Sequence, residues 1–127
     1  NGNEFAKKYL HDMAWVNRII DDLFDDDVKV KKEDIERVFY VLAIEIPTNP
    51  FFVQNYQALM GQHIIIYNSW MDSNKWEFDK DKTKQMYAHV LKDYIGELLP
   101  LVAFITGGTQ LMREISLKAR ALFIKEI

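Results

Sequence analysis

The sequence contains no cysteine among its 127 residues. This absence excludes disulfide bonds, thiolate metal sites and thiol nucleophiles, and it is typical of a reducing compartment. We therefore expect a cytoplasmic protein. A chain of this length can bury a contiguous core without covalent or metal support.

Long apolar runs and an excess of positive charge are also missing. The longest apolar stretches, LLPLVAFI and HIIIY, fall far short of the roughly 20 residues that a membrane-spanning helix needs. The net charge of −3 gives no general reason to expect nucleic acid or an anionic membrane as partner. The sequence therefore predicts no membrane association and does not favour nucleic-acid binding.

Period-two alternation, the pattern of an amphipathic strand, is absent, whereas apolar residues recur at helical spacing almost throughout. The first set consists of Phe5, Tyr9, Met13, Val16, Ile20 and Leu23. The second set consists of Ile35, Val38, Phe39, Leu42 and Ile46. The third set consists of Phe52, Tyr56, Leu59, His63, Tyr67 and Trp70, and the fourth of Tyr87, Leu91, Tyr94, Ile95, Leu98 and Val102. This spacing predicts an all-α fold, a compact bundle of four to five mostly antiparallel helices, forming a single helical domain over residues 1–127.

Proline, glycine and asparagine mark the predicted helix ends. Pro47 should end the second helix, and Asn49 with Pro50 should begin the next, as N-cap and first helical residue. Pro100 falls inside the fourth apolar set, so we expect a kink there or a stop near Leu99. The segment TGGT, residues 106–109, should separate the last two helices, with Gly107 or Gly108 at positive φ.

Five aspartates cluster in DDLFDDD, residues 21–27. Asp22 and Asp25 form an acidic i, i+3 pair, and Glu33 with Glu36 forms a second pair on the next predicted helix. Carboxylates at this spacing can converge on a hard cation such as Mg²⁺. The two pairs resemble the E-x-x-E and E-x-x-D motifs of small all-α nucleotide pyrophosphohydrolases, with aspartate in the first pair where that family has glutamate. The resemblance implies a magnesium-dependent nucleotide or phosphate hydrolase as one alternative function.

Helical phase favours a different role for the aspartates. Val16 and Leu23 mark the expected buried side of the first helix, and at 100° per residue the aspartates fall on the opposite side. A metal site in a bundle needs carboxylates that point inward. Anions are also disfavoured at a helix C-terminus, which a basic partner surface would explain as well as a metal would. We therefore expect no cofactor, and we place Asp21 and Asp25 on a partner interface.

Aromatic side chains surround one histidine of the third predicted helix. Tyr56, His63, Tyr67 and Trp70 share a face, and an imidazole in such a setting can orient a ligand or move a proton. A core histidine that bonds a tyrosine hydroxyl or a backbone carbonyl explains the same pattern. The four residues define a candidate pocket for a third hypothesis, a small-ligand-binding helical sensor.

The last predicted helix is apolar on two sides. One side carries Leu111, Met112, Ile115, Ala119 and Leu122, and the other carries Leu117, Ala121 and Ile124. A helix of this kind is either central in its bundle or shared with another chain. Because no acid–base, nucleophile or metal set with inward geometry emerges, the sequence favours a non-enzymatic protein-interaction module. We expect a small adaptor, assembly or regulatory subunit that binds a protein partner or forms a homo-oligomer through Leu117, Ala121 and Ile124.

Overall fold

A computed structural model describes residues 2–26 and 29–124 of the chain. This part of the protein is 90% helical and contains no strand. The helices are α1 (Gly2–Asp25), α2 (Lys32–Tyr40), α3 (Ile46–Thr48), α4 (Pro50–Gln54), α5 (Tyr56–Trp76), α6 (Lys82–Lys92) and α7 (Leu98–Ile124). A π-helical turn, Val41–Glu45, joins α2 to α3, and a 3-10 turn, Tyr94–Glu97, precedes α7. The all-α prediction is confirmed.

The chain divides into two compact units, Asn1–Tyr56 and Gln57–Ile127. The core of the first unit forms where α1 packs against α4. Tyr9 is fully buried, and its ring centroid lies 5.8 Å from that of Phe52 and 6.1 Å from that of Phe51. Burial raises the pKa of the Tyr9 phenol above its usual value. The predicted apolar face of α1 is thus correct at its centre, whereas Phe5 and Leu23 at its two ends are exposed.

The start of α4 follows the predicted capping pattern. The Asn49 Oδ1 atom accepts hydrogen bonds from the backbone N–H groups of Phe51 at 2.8 Å and Phe52 at 3.2 Å. Its Nδ2 atom donates to the backbone carbonyl of Phe5 on α1 at 3.0 Å. Pro50 occupies the first helical position, where a missing N–H costs nothing. Asn49 is itself buried, so this one side chain both begins α4 and holds it to α1.

The segment before Asn49 departs from a regular α-helix. The backbone widens into the π-helical turn Val41–Glu45 immediately before α3, whose second residue is Pro47. A proline lacks the N–H of the helical ladder and crowds the carbonyl four residues earlier, which is a known cause of such irregularity. The helix continues through Thr48, so the predicted stop at Pro47 is displaced by one residue.

This widening changes which residues of the segment are buried. Val41 and Ile46, five residues apart as π-helical geometry favours, are both buried. Ile35, Phe39 and Leu42, expected on the covered face, are exposed, Phe39 to 75%. The buried face predicted for the second helix is therefore wrong at Ile35, Phe39 and Leu42, whereas Val38 is half-buried and Ile46 is buried as expected.

In the second unit, α5 buries a different face from the predicted one. Its buried residues are Leu59, Ile66, Ser69 and Ser73. Leu59 alone belongs to the predicted aromatic face, whereas Tyr67 is exposed. The buried face of α5 thus lies further around the helix than the predicted one and includes two serines, whose small side chains are compatible with close helix packing. Their burial could not be read from hydrophobicity.

The predicted fourth helix is two elements. α6 ends at Lys92, the 3-10 turn Tyr94–Glu97 follows, and α7 begins at Leu98. Pro100 therefore lies in the first turn of α7, where its missing N–H breaks no intrahelical bond, and no kink is needed there. The expected break falls seven residues earlier than the proline because the chain turns at Asp93.

Gly108 divides α7 into two halves. Its φ of 76° and ψ of −169° are open to glycine and strained for other residues. Arg120 hydrogen-bonds both carboxylate oxygens of Glu97, one of them at 3.2 Å. A straight helix would hold these residues about 35 Å apart at 1.5 Å per residue. The chain therefore reverses at Gly108 into a helical hairpin, which confirms the predicted turn in TGGT.

Candidate interaction surfaces

The second half of α7 presents an uncovered apolar face. Ser116 and Ala119 are buried within the hairpin, and the Phe123 ring lies against Gly96, where a β-carbon would come within 2.6 Å of it. Leu117 and Ile124 lie on the opposite side and are exposed to 68% and 65%. Ala121, between them, is exposed as well. The structure thus brings together the three residues predicted from the sequence as an interface; we call them the α7 face.

The surrounding segment also has membrane-like composition. The stretch Tyr94–Ile124 is long and apolar enough to cross a membrane, with a mean hydropathy of 1.3 over 18 residues, 22% of them buried. The reversal at Gly108 divides this stretch, and neither half reaches roughly 20 residues. The hairpin therefore does not form one continuous helix of membrane-spanning length. The absence of membrane association stays a prediction.

A cavity of about 320 Å³ lies beside this hairpin. Its lining includes Tyr94, Glu97, Ser116, Arg120 and Phe123, so the Glu97–Arg120 ion pair forms part of its wall. That ion pair satisfies the two opposite charges against each other. The remaining lining is mixed, and it selects no particular ligand charge.

A second concavity, of about 440 Å³, lies between the end of α5 and α6 and is almost entirely apolar. We call it the aromatic groove; its lining residues are Trp76, Thr83, Lys84, Met86, Tyr87 and Val90. The Trp76 and Tyr87 ring centroids are 6.2 Å apart, with planes inclined by 52°. The Lys84 Nζ atom sits 5.3 Å from the Trp76 ring centroid, a cation–π distance. Sequence periodicity did not identify this groove, although the aromatic and methionine content of the region is its one visible signal.

The end of α1 carries the predicted acidic residues. Asp21, Asp22 and Asp25 are half-buried, and Asp26 takes a left-handed φ of 57°, with its N–H bonded to the Asp22 carbonyl at 3.0 Å. Such a residue commonly ends a helix. The neighbouring Phe24 is exposed to 57%. The last turn of α1 therefore combines carboxylates with a partly exposed aromatic side chain.

The four carboxylates of the magnesium hypothesis differ in their exposure. Glu33 and Glu36 are exposed on α2, whereas Asp22 and Asp25 are half-buried on α1. Within residues 2–26 and 29–124, no three His, Asp or Glu side chains converge in a geometry that could hold a metal ion. Nothing in this placement favours the hydrolase hypothesis, which stays a prediction.

The aromatic set of the ligand hypothesis is spread between surface and interior. Tyr56 and Tyr67 are exposed, while His63 and Trp70 are half-buried. Burial lowers the pKa of the His63 imidazole below its ordinary value. The two cavities described above are lined by other residues. The ligand-sensor hypothesis therefore also stays a prediction.

No protein-family model matches the chain, and no curated protein or solved structure matches it either. Any functional statement about this protein rests on its own residues and geometry.

Proposed function

We propose that the chain is a non-enzymatic helical protein-interaction module, a small cytoplasmic adaptor, assembly or regulatory subunit, which self-associates through α7. The observation that supports this proposal is the exposure of Leu117, Ala121 and Ile124 on one side of a helix whose opposite side carries the buried Ser116 and Ala119. Exposed apolar side chains aligned at i, i+4 and i+7 are typical of a helix that packs against another helix.

A second copy suits this face because its apolar side chains match each other under two-fold symmetry. In an antiparallel pair with the axis between Arg120 and Ala121, the residues three positions before Arg120 and three positions after Ala121 face each other. Leu117 of one copy would then lie opposite Ile124 of the other, twice. These two apolar pairs would set the register of the helices.

The expected dimer is weak. Complete burial of a leucine or isoleucine side chain contributes roughly 1.5–3 kcal/mol, so four such side chains contribute about 6–12 kcal/mol. Association costs about 4–15 kcal/mol in lost translational and rotational freedom. Even the most favourable difference, about 8 kcal/mol, corresponds to a dissociation constant of about 1 μM, so dimerisation should appear only at micromolar or higher protein concentration.

Sedimentation velocity over a concentration series tests this proposal. The wild-type chain should gain mass with concentration, and Leu117→Glu should weaken the association at least tenfold because it places a carboxylate in each of the two apolar pairs. Leu122→Glu is the matched control, since Leu122 is equally exposed on the same helix but points away from the α7 face.

Both variants should retain the helical circular-dichroism spectrum and melting temperature of the wild type, because neither side chain is buried. Equal association of Leu117→Glu and wild type would overturn the assignment of the α7 face. Equal weakening by Leu122→Glu would also contradict it.

A further inference from the structure

The aromatic groove has the properties of a docking site for an apolar anchor. Met86, exposed to 62%, and Tyr87 and Val90, also exposed, line a nearly polar-free concavity together with Trp76. Aromatic and methionine side chains are enriched at protein interfaces, where methionine adapts its shape to an incoming side chain. The groove therefore fits an aromatic or aliphatic side chain from a partner.

The segment that forms the groove is positively charged although the chain as a whole is negative. Residues 75–92 contain five lysines and three carboxylates, a net charge of +2. Each carboxylate already serves an internal bond: Glu77 pairs with Lys92 at 2.9 Å, and Asp79 and Asp81 accept backbone N–H groups at 2.8 and 2.9 Å. Lys80 and Lys82 are exposed and form no ion pair with the part of the chain that the structure describes. An acidic occupant is thus favoured.

The last turn of α1 offers the complementary chemistry. We call residues 21–26 the acidic tip; its four aspartates give a charge of −4. The tip also exposes Leu23 and Phe24, two adjacent apolar side chains of the size that the groove accommodates. The crowding of anions at a helix C-terminus, unfavourable for the isolated helix, is offset when lysines approach it.

We propose that the acidic tip of one copy docks into the aromatic groove of a second copy, with Phe24 as the anchor and Lys80, Lys82 and Lys84 facing the aspartates. This interface rests on the proposed function only in treating the chain as an interaction module. It uses neither Leu117 nor Ile124, so the two interfaces can fail independently.

The two surfaces differ from each other, and the association they mediate can therefore propagate. A contact between unlike patches produces either a closed ring or an open chain of copies. Combined with the α7 face, it would give the protein two independent routes to assembly. Its charged component should also weaken with salt, because the screening length falls to about 3 Å at 1 M ionic strength.

Complementary variants test the proposal directly. A tip variant, Leu23→Ser with Phe24→Ser, and a groove variant, Met86→Glu with Val90→Glu, change exposed side chains and should fold as the wild type does. Both are made in a Leu117→Glu background, which removes the contribution of the α7 face. The background chain should associate with concentration in sedimentation velocity, and each variant alone should remain monomeric.

The decisive sample is an equimolar mixture of the two variants. It retains one intact tip and one intact groove, so it should form a one-to-one heterodimer and nothing larger. Phe39→Ser and Phe78→Ser are the matched controls, because both rings are exposed but lie outside the tip and the groove. A mixture that stays monomeric, or a background chain that never associates, would overturn the proposal.

Charge exchange provides a second, independent measurement. Lys82→Glu with Lys84→Glu should weaken the association about tenfold or more, equivalent to roughly 1.4 kcal/mol. Mixing this chain with Asp22→Lys, Asp25→Lys should restore it, whereas Lys118→Glu should change nothing. If the lysine variants instead lose binding to anionic vesicles while the background chain stays monomeric, the groove belongs to a lipid surface and the proposal is wrong.

Discussion

The junction at Asn49 and the turn at Gly108 both redirect the chain, but they do so by different means. At Asn49 a buried side-chain amide hydrogen-bonds two N–H groups of α4 and one carbonyl of α1, and the Tyr9 and Phe52 rings pack against each other. At Gly108 the backbone alone makes the turn, with a conformation that other residues avoid. Side-chain contacts stabilise the junction at Asn49, whereas the turn at Gly108 is possible because glycine has no side chain.

The surroundings of the two sites differ in the same way. Around Asn49 the large side chains Tyr9, Phe51 and Phe52 are buried, so their apolar surface is already used for folding. After Gly108 the helix leaves Leu117 and Ile124 exposed. Substitutions at the first site should therefore change the free energy of unfolding, whereas substitutions beyond the second should change association.

The largest effect is expected at Tyr9. Tyr9→Ala removes a fully buried ring that contacts Phe51 and Phe52, and should lower the free energy of unfolding by about 3–5 kcal/mol. Tyr9→Phe keeps the ring and should cost only about 1 kcal/mol. Urea denaturation followed by circular dichroism measures both. Equal losses for the two variants would show that the hydroxyl, and not the packed ring, stabilises the junction.

Asn49→Ala should have the next largest effect. It removes the N-cap, worth about 1–2 kcal/mol, and leaves the Phe5 carbonyl without its donor, worth about 1 kcal/mol more. Asn49→Ser is the informative control because serine caps the helix but cannot reach Phe5. Its loss in urea denaturation should be about half that of alanine. A serine variant as unstable as alanine would mean that the bond to Phe5 dominates.

Local signals account for what could be predicted from the sequence. Asn49, Pro50 and Gly108 act on the backbone within a few residues of themselves, so their roles follow from their chemistry alone. The all-α character follows from spacing in the same local way. The exposure of the α7 face was predictable because Leu117, Ala121 and Ile124 are aligned opposite the side of the helix that the hairpin covers.

Packing between elements that are distant in sequence accounts for what could not be predicted. Whether an apolar stripe is buried depends on elements distant in sequence, and periodicity is the same for a buried face as for an exposed one. Phe39 and Leu23 were therefore expected inside and are exposed. The π-helical turn before Pro47 shifts the face of its segment without any change in hydrophobicity. The aromatic groove joins residues of two helices, which no single-helix pattern shows.

Gly108 tests the second site through the backbone. Gly108→Ala places a β-carbon at a φ of 76°, which should lower the free energy of unfolding by about 1–3 kcal/mol although open space surrounds the position. Gly61→Ala, in the middle of α5 and also in open space, should instead stabilise by about 0.5–1 kcal/mol. Thermal denaturation of the pair distinguishes strain from crowding, and a stable Gly108→Ala would show that the turn does not need glycine.

The smallest effect concerns pH and belongs to the second unit. Burial lowers the folded-state pKa of His63 below the usual 6.5, so below pH 6.5 the unfolded chain binds a proton more readily than the folded one. Stability should therefore fall as the pH drops from 7 to 5, with no contribution from His63 above that window. His63→Gln should flatten this part of the profile in urea denaturation. An unchanged slope in His63→Gln would mean that the imidazole protonates as easily in the folded chain as in the unfolded one.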